Sequence, residues 1–143
     1  MHCLYGGPFF DGVQLHSQGY VCMDRDKIVG FGPGYPSKSK GTSQDVQGRL
    51  ISPGFIDIHS DALEKCLAPR PRAVFDHQMA LEGLDRRLAA NGVTSFCHAV
   101  AFLDEEMGLR SPFTAADMIR SIQDFHASGR ALVRHNVHIR FEV

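Results

Sequence analysis

Ile51-Ser52-Pro53-Gly54-Phe55-Ile56-Asp57-Ile58-His59-Ser60-Asp61 divides the chain into two kinds of sequence. Pro53-Gly54 breaks whatever precedes it, and the run from Phe55 to His59 reads as a short buried strand. Side chains alternate across a strand, so Asp57, His59 and Asp61 share one face while Ile56 and Ile58 take the other. Three ionisable groups in line among apolar neighbours are costly unless they bind something. Imidazole and carboxylate are ordinary ligands of a divalent cation, so metal binding is one expectation for this face. The same spacing fits a plainer arrangement, with Asp61 a turn or helix-cap residue and His59 a hydrogen-bonded core histidine.

Downstream, residues 77–90 read as a helix with Asp76 as N-cap, Ala80, Leu84 and Leu88 on one face, and Asn91-Gly92 as the stop. Val93 to His98 is a second strand. Thr114 with Asp117 three residues on opens a second helix that buries Met118, Ile119, Ile122 and Phe125. Gly129 interrupts it, and a helical extension through Leu132-Val133 remains open. Val137 to Val143 is a third strand, with His138, Arg140 and Glu142 on one face and Ile139, Phe141 and Val143 on the other. The order β-α-β-α-β predicts an α/β fold, a parallel sheet covered by helices. Ligands bind at the carboxyl ends of such strands, where His59, His98 and Glu142 fall level. Residues 51–143 suffice for about three βα units of roughly 31 residues each, so they cannot close an eight-stranded barrel. Either a small open domain or the front end of a larger barrel is expected.

Upstream, residues 1–50 read as short strands and turns. Leu4-Tyr5 and Pro8-Phe9-Phe10 flank Gly6-Gly7, and Asp11-Gly12 signals a turn. Tyr20 to Met23 and Lys27 to Phe31 form a hairpin around a three-residue loop, Asp24-Arg25-Asp26. Residues 32–45, rich in Gly, Pro, Ser and Lys, read as a surface loop. Lys and Arg number 15 against 16 Asp and Glu, which argues against a basic grip on nucleic acid. No stretch approaches a membrane helix, and Met1 to Tyr5 does not open a signal peptide. Four widely spaced cysteines, Cys3, Cys22, Cys66 and Cys97, are expected to remain reduced thiols in a cytoplasmic protein. His2, His16, His77 and His126 read as surface residues, and His135 is out of phase with the 138–142 face.

The run from Ile51 to Asp61 resembles the PGxIDxHxH signature that opens the barrel of the amidohydrolase superfamily. Asp61 stands where most members have a second histidine. With Ala62-Leu63-Glu64-Lys65 after it, the run is similar to one branch, the diphosphatases of phosphonate breakdown. The similarity continues through Pro69-Arg70-Pro71, Leu84 to Ala90, His98-Ala99-Val100, Arg110-Ser111 and His138 to Glu142, and covers nearly all of the chain. The resemblance implies an incomplete, metal-dependent TIM-like barrel over 51–143, limited to its first three strands. It is preceded by a small β-domain, 1–50, assembled in the family from both chain ends. It implies hydrolysis of a small phosphorylated ribosyl phosphonate, a 5-triphosphate cut to the 5-phosphate and pyrophosphate. His59, Asp61 and Glu142 match metal positions for zinc, manganese or magnesium, an ion that would activate water.

Arg70, Arg72 and Arg110 lie in loops on the ligand side, where guanidinium suits phosphate oxygens, and His98 and Arg140 join them as expected substrate contacts. Each of those arginines also fits a solvated loop position. The catalytic acid or base is unassigned and expected from later strands, so the chain alone is expected to be weak or inactive. Self-association or a complementing second chain is the expected partner. Two other readings stay open: an amidohydrolase acting on C–N bonds, and a non-catalytic phosphate-binding fragment.

Overall fold

The computed structural model describes residues 1–37, 41–103 and 109–141. The chain divides into two units, Met1–Pro53 and Gly54–Val143.

The first unit is a four-stranded sheet of β1 (His2–Phe10), β2 (Leu15–Asp24), β3 (Lys27–Pro33) and β4 (Thr42–Asp45), in the order β3-β2-β1-β4. Gly6-Gly7 does not separate two strands but lies inside β1, where the pairing with β2 shifts register. Gly6 has φ +87, and a Cβ there would strike the Asp45 carboxylate, while one on Gly7 would strike the Arg49 carbonyl. Glycine is what lets the segment from Asp45 to Arg49 approach the strand so closely. The β2–β3 turn is tighter than expected. Asp24 pairs with Lys27, leaving Arg25-Asp26 as a two-residue loop with Arg25 at φ 56. The Asp11 carboxylate accepts the amides of Val13 at 2.8 Å and Gln14 at 2.7 Å, which builds the turn that Asp11-Gly12 signalled.

Two expectations for this unit are corrected. Part of the 32–45 surface loop is strand: Thr42–Asp45 pairs parallel with His2–Tyr5 although all four of its residues are exposed. Backbone pairing holds it, with no apolar pattern to announce it. Nor are all the cysteines free thiols. Cys3 and Cys22 lie directly opposite in the β1–β2 ladder, are buried, and form a disulfide, while Cys66 and Cys97 are free.

The second unit runs β5 (Phe55–Ser60), α1 (Ala62–Leu67), α2 (His77–Ala90), β6 (Val93–Phe102), α3 (Pro112–Ala127) and β7 (Arg134–Phe141). The strands form one parallel sheet in the order β5-β6-β7, as the alternation of strand and helix predicts. Helix α2 has the predicted bounds, with Asp76 accepting the Met79 amide at 3.1 Å and Gly92 at φ +77 just past its end. Helix α3 is capped by Ser111, whose hydroxyl accepts the Thr114 amide at 3.2 Å, with Pro112 in its first turn. It stops at Ala127 and Gly129 turns the chain at φ +70, so the helical extension does not form and β7 begins early, at Arg134. Helix α1 is an unpredicted single turn and a half, held by burial of Leu63 and Leu67.

The core lies on one side of this sheet. Leu63, Leu67, Leu81 and Leu84 pack with Ala115, Met118, Ile122 and Phe125 against Phe96 and Val100 of β6. Burying each large side chain contributes about 1.5–3 kcal/mol. The flanking strands are barer: Phe55, Ile56 and Ile58 on β5, and Ile139 and Phe141 on β7, are each more than half exposed. No described helix is long and apolar enough to cross a membrane.

Candidate functional site

The middle strand decides how the site is built. Phe96, His98 and Val100 turn into the helix-packed core, so the alternate residues Cys97, Ala99 and Ala101 take the other face. Alanines leave room above β6, and His59 from β5 meets His138 from β7 across it. The ring centroids are 4.9 Å apart with planes at 88°. His138 lies beside Ala99 in the ladder, and its Nδ1 is 3.4 Å from the Ile58 carbonyl oxygen. Both imidazoles are exposed. Histidine 138 was legible as part of the 138–142 face but was not among the expected ligands; its nearness to His59 depends on the small residues of β6.

The neighbouring carboxylates are engaged locally. Asp57 accepts the His59 amide at 3.1 Å. Asp61 stands at the N-cap of α1 with no side-chain capping bond, and its carboxylate lies 3.5 Å from Lys65 Nζ. Glu142 lies outside the described residues. Among those described, no three His, Cys, Asp or Glu side chains converge as a metal site. The residues present therefore do not close around an ion by themselves; His59 and His138 are the donors that the open face brings together.

The expected phosphate contacts divide. Arg70 and Arg72 are exposed in the loop after α1, Arg72 at φ 63. Arg110 instead grips Glu64, whose Oε2 accepts from Nε at 3.1 Å and Nη2 at 3.0 Å, tying the chain after β6 to α1. Arg140 is half-buried on β7, beside Ala101.

His98 is level with Ser60 at the end of β5, but on the face turned to the helices. Its Nε2 is 2.8 Å from His135 Nδ1, and His135 Nε2 is 3.0 Å from Asp85 Oδ1. All three residues are buried. Burial first, and the adjacent His135 second, push the His98 imidazole down to about 3, so it is neutral at ordinary pH. The sequence does carry one sign of this cluster. Asp85 sits one turn beyond Leu81 on the apolar stripe of α2, where a carboxylate needs buried donors.

The fold is shared with solved structures, among them an amidohydrolase from an environmental sample of the Sargasso sea, with a TM-score of 0.61 at 16% identity over 96% of this chain and 33% of its own. A Xaa-Pro dipeptidase superposes with a TM-score of 0.64 at 18% identity, over 96% of this chain and 32% of its own. A zinc-complexed atrazine chlorohydrolase from Arthrobacter aurescens TC1 gives 0.56 at 16% identity, over 97% and 35%. In sequence, the chain is similar to the alpha-D-ribose 1-methylphosphonate 5-triphosphate diphosphatase of Escherichia coli (strain K12), 30% identical over 101 residues. That match takes in 71% of this chain and 27% of the relative, so the chain spans about a quarter of the protein it resembles. No family model matches.

Proposed function

We propose that this chain supplies the opening strands of a metal-dependent hydrolase barrel that cuts a ribosyl 5-triphosphate of phosphonate breakdown to the 5-phosphate and pyrophosphate. The observation that carries this reading is the position of His59. It stands near the carboxyl end of a parallel strand, on the face it shares with His138, within the run Ile51 to Asp61 that resembles the amidohydrolase signature. Residues 1–50 are assigned to a β-domain and 51–143 to the first three barrel strands.

In this reading His59, Asp61 and Glu142 contribute to a divalent-ion site completed by groups from further strands. Asp61 would exchange its Lys65 contact for the ion, a small cost because that pair is largely solvent-exposed. Arg70 and Arg72, exposed in the loop after α1, are assigned to the polyphosphate, to which guanidinium can offer paired donors. Arg140 is assigned the inner end of the same substrate, and Arg110 a supporting role through Glu64. His98 is assigned to holding the strands rather than to touching substrate.

The test is co-expression of this chain with the remaining strands of the Escherichia coli relative, followed by an assay of pyrophosphate release. The assembled protein is expected to lose activity to chelator. His59→Ala should lower kcat, and Arg70→Ala should mainly raise KM, because phosphate charge is present before the transition state as well as in it. Stepwise release of single phosphates, or full turnover by His59→Ala, would overturn the proposal.

A further inference from the structure

The buried chain Asp85–His135–His98 lies on the opposite face from the proposed site and has no part in it. Asp85 is an acceptor only: its carboxylate takes the amides of Leu132 at 3.1 Å and Val133 at 3.0 Å as well as His135 Nε2 at 3.0 Å. His135 must then carry its proton on Nε2. A single proton remains for the 2.8 Å contact between His135 Nδ1 and His98 Nε2. If it sits on His135, that ring is a cation and His98 must carry its own proton on Nδ1. His98 Nδ1 is buried and has no hydrogen-bond partner among the described residues. A buried N–H without an acceptor is a rarer and costlier orphan than a bare ring nitrogen. The proton therefore belongs on His98 Nε2, both rings are neutral, and each link points toward Asp85.

The groups around this chain do not relieve a second proton. Besides Asp85, α2 presents Glu82 and Arg86, and the turn before β7 presents Arg130. Glu82 is taken by Arg130 at 2.7 Å, with Arg86 3.9 Å away. Helix α3 offers Phe125, its ring 5.5 Å from His135, and β6 offers Phe96, 4.8 Å from His98. His98 Nδ1, buried and without a hydrogen-bond partner among the described residues, has no acceptor to offer a second proton.

We propose that Asp85, His135 and His98 form an acid-released latch that fastens α2 to β6 and β7 while both imidazoles are neutral. A further proton either places a cation in the core or turns His98 so that an N–H has no acceptor, and in both cases the latch loosens. The lowered His98 value gives the direction. At His98 the unfolded chain takes up a proton below about 6.5 and the folded chain does not until about 3, so the contribution of His98 to stability is full above about 6.5. It falls as pH drops from there toward about 3.

The test uses the whole chain. Histidine ring nitrogen spectra from pH 7.5 to 5 should show His98 protonated at Nε2 with a bare Nδ1 throughout, and His135 protonated at Nε2. In parallel, equilibrium unfolding over the same range should show His98 contributing about a tenfold rise in the unfolding constant per pH unit once below its unfolded value. His98→Phe should remove that contribution while the other histidines keep theirs. A His98 that carries its proton on Nδ1, or titrates near 6.5, overturns the latch. So does a His98→Phe chain with the pH slope of the unaltered one. If that variant does not fold, the ring spectra of the unaltered chain decide.

Discussion

Two pairs of histidines lie on opposite faces of the same three strands, and they are built to opposite ends. His59 and His138 meet edge to plane over the alanines of β6, exposed, with no described carboxylate drawn in. His98 and His135 stack under the helices, buried, and end on a carboxylate that also holds two main-chain amides. The difference comes from strand parity alone: one residue's shift along β6 or β7 moves an imidazole from solvent to core. A histidine in the core must have its hydrogen bonds supplied by the fold, whereas one on the open face keeps its lone pairs for a ligand.

Breaking the buried pair should cost most. Asp85→Ala leaves two amides and a neutral imidazole N–H without their acceptor, at about 1–3 kcal/mol for each buried donor left unpaired, so a loss of about 3–5 kcal/mol, read by denaturant unfolding, is expected. A loss under about 1 kcal/mol would mean that Asp85 does not hold β7 to α2. A smaller effect is expected at Arg110. Its pair with Glu64 is partly exposed, so Arg110→Ala should cost about 1 kcal/mol or less. Smallest of all, His59→Ala on the exposed face should change stability by no more than about 0.5 kcal/mol while lowering the chain's affinity for zinc in calorimetry. A large loss of stability there would place His59 among the structural histidines after all. The bare flanks of the sheet give a further contrast. Phe55, Ile56, Ile58, Ile139 and Phe141 are exposed on strands that each have one edge unpaired among the described residues, so the isolated chain should self-associate in sedimentation, and Ile58→Lys should reduce it.

The larger elements of the second unit were legible because several signals agreed. Asp76, the stripe Ala80-Leu84-Leu88 and Asn91-Gly92 bound α2 at both ends, and the strands on either side fixed a parallel order. What escaped was structure without periodicity. β4 is Thr-Ser-Gln-Asp, polar on both faces and held by the backbone of β1. Helix α1 is too short to show a stripe, and the Cys3–Cys22 bond depends on a cross-strand register that cysteine spacing does not reveal. The place of His59 near the end of its strand was readable from the sequence. His98 was not separable from it, because Phe96 to Ala101 is almost continuously buried and the usual alternation of polar and apolar faces is absent.

The contrast between the two faces is tested most directly by acylating accessible imidazoles with diethyl pyrocarbonate and locating the modified histidines by mass spectrometry, with and without zinc. His59 and His138 are expected to react in the free chain and His98 and His135 to stay unmodified, with zinc protecting His59 and leaving the buried pair as it was. Rapid modification of His98, or a His59 whose reactivity zinc does not alter, would contradict the assignment of one face to ligand binding and the other to holding the fold.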